Sequence, residues 1–208
     1  MSAKEKATIF IVDDDASVRK SLSRLLDSLE FRTEAFASAE AFLKRGPYEG
    51  AGCIILDVRM PGLSGMDLQE ELNKAEYAMP IIFITGHGDI PMSVKAMKRG
   101  AVDFLPKPFD EQELVNAIDK AIERDRTARV SRSETRHVLE QIAQLTPREH
   151  EVLQFLITGM LNKQIAFKLG IAEKTIKIHR ARVLEKLGAR SVAELVRIAE
   201  KAGIPTAK

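Results

Sequence analysis

The sequence lacks the features expected of a secreted or membrane-spanning protein. It contains one cysteine among 208 residues, so no disulfide can form within the chain. That cysteine, Cys53, lies in the apolar run GCIILD, which favours an inert core thiol over a reactive one. No apolar run approaches the roughly 20 residues needed to cross a bilayer, and the first residues, MSAKEKATIF, lack the apolar segment of a signal peptide. We therefore expect a cytoplasmic protein.

The chain also lacks a strong overall charge, because acidic and basic residues nearly balance at +2. The balance differs along the sequence: residues 1–123 contain 15 Lys and Arg against 21 Asp and Glu, whereas residues 124–208 contain 17 against 9. A basic segment is compatible with nucleic acid, although it can equally be a solvated face. The 45% hydrophobic content is enough for one large domain or two small ones, and the charge difference indicates two with separate roles.

Short apolar runs in residues 1–123 each end at polar residues of a related kind. IFIV is followed by Asp13 and Asp14, CIIL by Asp57, IIFI by Thr85 and DFLP by Lys107. Such runs, bounded by turn residues and separated by helix-length segments, are typical of buried parallel strands. The expected fold class is an α/β doubly wound parallel sheet with the flavodoxin-like strand order 2-1-3-4-5. The predicted strands, which alternate with five helices, are 8–12, 33–36, 53–56, 80–84 and 102–105.

The polar residues at these strand ends form a candidate site for metal and phosphoryl chemistry, because ligands bind beyond the carboxyl ends of parallel strands. Asp13, Asp14 and Asp57 cannot all stay ionised close together without a cation, and hard oxygen ligands suit Mg²⁺. Asp57 as nucleophile would form an aspartyl phosphate, with Lys107 neutralising one phosphoryl oxygen and the Thr85 hydroxyl donating to another. Each residue alone has a commoner structural role, such as a helix cap or a surface lysine, but their joint placement favours the site.

Four motifs, VDDD, LDVRMPGLSG, ITGHGDIPM and FLPKPF, follow one another within residues 5–125. In these motifs and their spacing, the segment resembles the receiver domain of two-component response regulators. The resemblance implies that Asp57 accepts a phosphoryl group from a sensor histidine kinase. It also implies that Asp13, Asp14, Asp57 and the backbone carbonyl of Arg59 hold Mg²⁺, and that Lys107 pairs with the phosphate.

The same resemblance assigns a conformational switch to Thr85 and Phe104. Many receivers carry Tyr at the position of Phe104, so the hydrogen bond of a phenol is missing here and rotation of the ring would be driven by burial. Arg59 and His87 lie two residues beyond Asp57 and Thr85. They are either tuning residues for hydrolysis of the aspartyl phosphate or two solvated side chains.

Residues 124–139 have the composition of a solvated helix. Their first part, RDRTARVSRSETR, contains neither Gly nor Pro and few large apolar residues, which favours a helix that continues the preceding one over a flexible tether. A coiled coil between two chains is poorly supported, because its seam would be charged.

A helix-turn-helix is predicted beyond this linker. Thr146, Pro147 and Glu149 have the spacing of a capped helix start, and Gly170 provides a tight turn between two later helices. Two short helices joined by such a turn indicate a DNA-binding motif within an all-α domain. The later helices are predicted at 162–169, 173–187 and 191–201.

The helix predicted at 173–187 has the composition of a recognition helix. Major-groove reading needs cations for guanine and phosphate, and small or apolar groups for thymine methyls. Ile178 and Arg182, one turn apart, are the candidate base-reading residues. The candidate phosphate contacts are Lys174, Thr175, Lys177 and Arg180.

Residues 140–203 contain the segments LTPRE, NKQIA, LGIAEKTIKIHRARVLEKLGA and SVAELVRIA. In these segments the sequence resembles the LuxR/FixJ/NarL type of helix-turn-helix domain. The resemblance implies double-stranded promoter DNA as a partner and the last helix as a dimer contact. Some relatives carry Lys at the position of Ala181, which leaves the base preference open. The candidate dimer residues are Val192, Leu195, Val196 and Ala199.

These observations predict a response regulator of the FixJ/NarL type. We expect a receiver domain in residues 1–123, a helical linker in 124–139 and a helix-turn-helix DNA-binding domain in 140–208. Phosphorylation of Asp57 is expected to promote homodimerisation and promoter binding, or to release the second domain from an inhibitory contact. RNA polymerase is a further candidate partner. We expect no enzymatic activity beyond the chain's own phosphoryl transfer and dephosphorylation.

Two other functions fit parts of the sequence. An aspartyl-phosphate phosphatase would share the acid site, but such enzymes need a second acid two residues past the nucleophile, where this chain has Arg59. A phosphorylation-independent DNA-binding adaptor would share the helix-turn-helix, but the complete acidic site argues against it.

Overall fold

The computed structural model describes residues 7–75, 77, 79–86 and 90–204. His87, and Asp89 as the expected N-cap of the helix that follows, lie outside these described residues. The chain divides into two compact units, one up to Ala128 and the other from Arg129 onward.

The first unit contains a five-stranded parallel sheet in the order β2-β1-β3-β4-β5, which confirms the predicted fold class and strand order. Each predicted strand is present with bounds shifted by no more than one residue at either end. The elements in chain order are β1 (Thr8–Val12), α1 (Ala16–Ser28), β2 (Arg32–Phe36), α2 (Ala39–Arg45), β3 (Gly52–Asp57), α3 (Gly65–Lys74), β4 (Ile81–Thr85), α4 (Ile90–Lys98), β5 (Asp103–Pro106) and α5 (Glu111–Ala143).

Successive side chains along each strand point to opposite faces of the sheet, so the strands contribute to a hydrophobic core on each face. In β1, Ile9 and Ile11 join one buried cluster, whereas Phe10 and Val12 join the other. All residues of β1, β3 and β4 are buried, which explains why these strands read as continuous apolar runs. Cys53 is fully buried and free, and burial raises the pKa of its thiol, as expected for an inert core cysteine.

Helix α5 includes the whole of the predicted linker 124–139. Its residues after Glu123 are mostly exposed, in keeping with the polar composition that predicted a solvated helix. No helix in the described ranges is long and apolar enough to cross a membrane.

The second unit packs four further helices against the end of α5, where Ile142 contacts the core. Thr146 and Glu149 form the predicted capping box at the start of the first of them, with Pro147 as its first residue. Gly170 has φ 64°, the left-handed conformation that the tight turn of the helix-turn-helix requires. The helices are α6 (Pro147–Leu156), α7 (Asn162–Leu169), α8 (Glu173–Lys186) and α9 (Val192–Lys201).

Candidate functional site

The carboxyl ends of the strands bring four of the predicted site residues to one edge of the sheet. Asp13 follows β1, Asp57 ends β3, Thr85 ends β4 and Lys107 follows β5. Asp13, Asp57 and Thr85 retain only 1%, 5% and 1% of their surface exposed, so their polar groups need partners within the protein.

Lys107 joins two buried carboxylates. Its Nζ donates to Asp13 Oδ2 at 2.7 Å and to Asp57 Oδ1 at 2.8 Å. The remaining oxygens accept from the main chain, since the N–H of Asp15 donates to Asp13 Oδ1 at 2.8 Å and that of Arg59 to Asp57 Oδ2 at 2.7 Å. Each carboxylate therefore has one charged and one neutral donor, which compensates its burial.

Burial and pairing act against each other on the charges of this site. Burial raises the pKa of Asp57 above its ordinary value, although the hydrogen bond from Lys107 acts to lower it. Burial also acts to lower the pKa of Lys107, but hydrogen bonds to Asp13 and Asp57 outweigh it and the pKa is raised. Lys107 therefore stays protonated as an ammonium. The peptide bond between Lys107 and Pro108 is cis.

Asp14 does not join the two buried carboxylates. Its side chain is exposed, at a bend directly after Asp13 and two residues beyond the end of β1. Within the described residues, no three His, Cys, Asp or Glu side chains are grouped as metal ligands. In this structure Lys107 lies between two of the three predicted carboxylates, those of Asp13 and Asp57.

Thr85 and Phe104, the predicted switch residues, lie on neighbouring strands. Phe104 pairs with Phe83 in the β4–β5 register, and the two ring centroids are 6.2 Å apart. Phe104 is half-buried and packs on the same core cluster as Phe83.

Three further residues shape the site without having been predicted for it. Arg19 donates from Nη1 to the carbonyl oxygen of Asp13 at 2.7 Å, and Glu40 accepts from the N–H of Leu63 at 3.0 Å. A Cβ on Gly65 would lie 2.1 Å from the carbonyl oxygen of Asp57, so only glycine fits there. The short spacing between Asp57 and Gly65 gave a hint of this, but the contacts of Arg19 and Glu40 have no local sequence signal.

In the second unit, four of the six predicted DNA contacts lie on the exposed face of α8. Ile176 and Val183 are buried in the core, which turns the opposite side of the helix outward. Ile178 is 47% exposed, although a large aliphatic side chain is usually covered in the free domain. Lys174, Lys177, Ile178 and Arg182 are exposed, and Thr175 and Arg180 are half-buried.

Arg180 is oriented by α7. Its Nη1 donates to Asn162 Oδ1 at 3.2 Å, so the guanidinium is held against the first residue of that helix. Lys177 lies 3.4 Å from Glu173, one turn earlier, in an exposed pair that contributes little to stability.

Two of the four predicted dimer residues on α9 are not available at the surface. Leu195 and Ala199 are buried in the domain's own core, with 0% and 2% exposed. They are four residues apart and therefore share the inward face of the helix. Val192 and Val196 are partly exposed, so the prediction is wrong for Leu195 and Ala199, and only Val192 and Val196 stay candidates.

Comparisons with known proteins account for both units. Residues 9–119 match the response regulator receiver domain, and residues 143–199 match the luxR family of bacterial regulatory proteins. The chain belongs to the response regulators. As predicted, it joins a receiver domain to a LuxR-type DNA-binding domain, and this architecture makes it a transcriptional regulator of a two-component system, with a histidine kinase and DNA as its partner classes.

Similar proteins match this response regulator along almost its whole length. Nodulation protein W from Bradyrhizobium diazoefficiens is 48% identical over 97% of this chain and 89% of its own length. The transcriptional regulatory protein FixJ from the same organism is 44% identical over 96% of this chain and 97% of its own length. Among solved structures, the response regulator StyR has a TM-score of 0.81 at 49% identity, covering 94% of this chain and 99% of that one. Full-length FixJ from B. japonicum has a TM-score of 0.58 at 43% identity, covering 97% and 99%.

Proposed function

We propose that this response regulator accepts a phosphoryl group on Asp57 from a sensor histidine kinase. The supporting observation is the Lys107 ammonium, which lies 2.8 Å from Asp57 Oδ1 and 2.7 Å from Asp13 Oδ2 in a buried site. A phosphoryl group on Asp57 would add negative oxygens where this cation can reach them, and such fixed charges stabilise phosphoryl transfer.

In the proposed step, a carboxylate oxygen of Asp57 attacks phosphorus while the P–N bond of a phosphohistidine breaks. The electron pair of that bond stays on the imidazole nitrogen, which takes a proton from water. Lys107 neutralises one phosphoryl oxygen, and the hydroxyl of Thr85, buried at the end of β4, donates to another. Later attack by water on phosphorus would release inorganic phosphate and restore the carboxylate of Asp57. The chain would in this way dephosphorylate itself.

We propose Mg²⁺ as the cofactor of this site. The support is chemical, because carboxylate oxygens are hard ligands of the kind that Mg²⁺ prefers, and those of Asp13 and Asp57 meet at this edge of the sheet. We propose that Asp13, Asp14, Asp57 and the carbonyl of Arg59 hold the ion. A bound Mg²⁺ supplies charge neutralisation and orientation of the phosphoryl oxygens.

We propose that Thr85 and Phe104 move when Asp57 is phosphorylated and that this conformational change reaches α4. Strand β5, which carries Phe104, contacts α4, and α4 exposes Ile90 at 80%, Val94 at 45% and Met97 at 44%. Three exposed apolar side chains on one short helix suit a self-complementary contact between two copies. Phosphorylation would increase the population in which these faces pair, and release of an inhibitory contact on the DNA-binding domain is the alternative.

Promoter DNA is the proposed ligand of α8. Ile178 and Arg182 would reach the base edges in the major groove, one on thymine methyls and the other on guanine. The proposed phosphate contacts are Lys174, Thr175, Lys177 and Arg180. Val192 and Val196 on α9 would pair two copies on adjacent half-sites, so that binding depends strongly on both salt and dimerisation.

The remaining proposals concern location, partners and domain limits. We propose a cytoplasmic location, because promoter DNA is found there, and RNA polymerase as a partner of the DNA-bound dimer. We also propose functional limits at 1–123 for the receiver, 124–139 for the linker and 140–208 for the DNA-binding domain.

The test compares oligomer size and DNA affinity with and without Mg²⁺ and a small acyl phosphate. We expect the treated wild-type chain to sediment as a dimer and to bind a DNA fragment obtained by in vitro selection more tightly. Asp57→Ala should show neither change, whereas Asp119→Asn, which alters an exposed acid on α5, should respond as the wild type does.

Two outcomes would favour other functions. Equal DNA affinity of wild type and Asp57→Ala under these conditions would indicate a phosphorylation-independent adaptor. Steady release of phosphate from the acyl donor, far beyond one equivalent per chain, would indicate a phosphatase.

A further inference from the structure

One acidic side chain of α2 contacts the loop between β3 and α3. Glu40 lies in the first turn of α2, and its Oε1 accepts a hydrogen bond from the main-chain N–H of Leu63 at 3.0 Å. The two residues are 23 positions apart in the sequence, so the contact joins two separate elements. Because the Glu40 side chain is exposed, the hydrophobic core does not account for its position.

The loop leaves space for this carboxylate. Gly62, directly before Leu63, has φ 78°, in the left-handed region that favours glycine. A Cβ at Gly62 would lie 2.8 Å from Glu40 Oε1, so a side chain there would displace the carboxylate. Hydrogen bonds from its own main-chain N–H, from Ser38 and from the N–H of Leu63 lower the pKa of Glu40. The loop therefore meets a charged acceptor that fits against it.

The same loop holds one oxygen of Asp57. The N–H of Arg59 donates to Asp57 Oδ2 at 2.7 Å, and Lys107 donates to Oδ1 at 2.8 Å. The orientation of the carboxylate is thus set by Lys107 at one oxygen and by the loop at the other. The N–H of Gly65 donates to the carbonyl of Val58 at 3.1 Å, which joins the two ends of the loop. A displaced loop would change the orientation of Asp57.

We propose that Glu40 is a positioning residue for the phosphoacceptor. By fixing the loop at Leu63, it keeps the N–H of Arg59 on Asp57 Oδ2. This inference rests on the proposed function, because the orientation of Asp57 affects a reaction only if its carboxylate attacks phosphorus. Phosphoryl transfer needs the attacking oxygen in line with the bond that breaks, so a small misplacement slows the reaction.

A simpler role for Glu40 would be to stabilise α2, since an acid in the first turn interacts favourably with the helix dipole. The two roles need different properties of the side chain. Stabilisation of the helix needs the negative charge, whereas the contact with Leu63 needs an acceptor oxygen at the right distance. Glu40→Gln keeps an acceptor oxygen and loses the charge, and Glu40→Ala loses both.

The first measurement is residue-specific amide hydrogen exchange by NMR, in the full-length chain without a phosphoryl donor. In Glu40→Ala, the amides of Leu63 and Arg59 should both exchange faster than in wild type. In Glu40→Gln, both amides should stay protected. Amides within β3 should exchange at the wild-type rate in both variants, which separates a local change in the loop from a general loss of stability.

The second measurement is the rate of phosphorylation by a small acyl phosphate with Mg²⁺, followed by mass spectrometry of the intact chain. Glu40→Ala should react at least about tenfold more slowly than wild type, because Asp57 is misplaced. Glu40→Gln should stay within about threefold, since a neutral hydrogen bond replaces a charged one. Glu49→Ala is the matched control, because it removes an exposed acid before β3, and its rate should stay within about twofold.

Three results would overturn the inference. Equal slowing by Glu40→Ala and Glu40→Gln would assign the effect to the charge on α2. Faster exchange at Leu63 with unchanged exchange at Arg59 would show that the loop does not carry the contact to Asp57. A wild-type rate in Glu40→Ala would contradict the inference whatever the amides show. Failure of the proposed function has a different signature, namely a wild-type chain that takes up no phosphoryl group, and the exchange measurement would still test whether Glu40 fixes the loop.

Discussion

At the residue scale, Lys107 carries the charge that balances Asp13 and Asp57. Its side chain is 23% exposed, whereas the two carboxylates that it joins are 1% and 8% exposed. Without the ammonium, two buried acids would face each other with only main-chain donors, which is unfavourable for like charges. The structural role of Lys107 is therefore inseparable from its proposed role beside a phosphoryl group.

Lys107→Met should lower the free energy of unfolding of the receiver by about 1–3 kcal/mol at neutral pH, because it leaves buried charges without their partner. Urea denaturation followed by tyrosine fluorescence measures this, since both tyrosines, Tyr48 and Tyr77, lie in the first unit and the chain has no tryptophan.

Lys120→Met is the matched control for this change. Lys120 is 68% exposed and lies 3.9 Å from Asp103, a surface pair whose loss should cost less than about 1 kcal/mol. Equal destabilisation by the two substitutions would contradict the view that Lys107 compensates buried acids.

Motif spacing predicted which residues meet at this site, but not all of their supports. Asp57 and Lys107 follow strands whose apolar runs are plain in the sequence, so their meeting at one edge could be predicted. The contact of Glu40 with the Leu63 N–H joins residues far apart in the chain, and Arg19 reaches back to the carbonyl of Asp13. Such contacts depend on how helices pack on the sheet, for which the sequence offers no periodic signal.

At the element scale, a buried ion pair fixes α6 to α8 in the DNA-binding domain. Glu149 has 1% of its surface exposed and accepts from Lys186 Nζ at 2.7 Å and from the N–H of Thr146 at 2.9 Å. The hydrogen bond from Lys186 is the main cause that lowers the pKa of Glu149 from 4.5 to about 2, followed by that from Thr146. The carboxylate is therefore more stable in the folded domain than in the unfolded chain.

Because the folded pKa of Glu149 is depressed, its contribution to stability is present above pH 4.5 and is lost as the pH falls toward about 2. Glu149→Gln should lower the melting temperature of the DNA-binding domain at pH 7, and the difference from wild type should shrink between pH 5 and pH 3. Thermal unfolding followed by circular dichroism across this range measures the effect.

Glu151→Gln provides the control on the same helix. Glu151 is 50% exposed and pairs with Arg148, so its replacement should change the melting temperature little at any pH. A pH-independent difference between wild type and Glu149→Gln would show that the carboxylate's charge is not what stabilises the contact.

The inward and outward faces of α9 should respond differently to the same substitution. Leu195→Glu puts a charge into the core and should unfold the DNA-binding domain, whereas Val196→Glu should leave it folded. If Val196 forms the proposed dimer contact, Val196→Glu should weaken DNA binding at paired half-sites at least about tenfold without weakening a single half-site. Gel-shift titrations on the two fragments distinguish these outcomes, and equal loss on both would contradict the dimer contact.

Local chemistry predicted most elements, whereas the exact facing of α9 was missed. Thr146, Pro147 and Glu149 specify a helix start by their own hydrogen bonds, and the structure has that helix where it was predicted. The family resemblance assigned Leu195 to a dimer contact, but an apolar residue on a short amphipathic helix serves either its own core or a partner. Only the packing of the domain decides between these two uses.

At the scale of the whole molecule, the division of charge along the sequence follows the division of chemistry. Residues 1–123, which are acidic overall, form the domain that contains the buried carboxylates. Residues 124–208, which are basic overall, include the cationic face of α8. Helix α5 runs without a break from Glu111 to Ala143, so the boundary between the two units falls within one helix. A covalent change in one unit and DNA binding in the other are the two events that the proposed function connects.

The most direct measurement is mass spectrometry of the intact chain after treatment with Mg²⁺ and a small acyl phosphate, followed by peptide mapping under conditions that preserve acyl phosphates. The proposed function predicts the mass increase of one phosphoryl group on wild type, located on Asp57 and lost on mild alkaline hydrolysis. Asp57→Asn should show no increase. A phosphoryl group on another residue, or no increase on the wild-type chain with any donor, would contradict it.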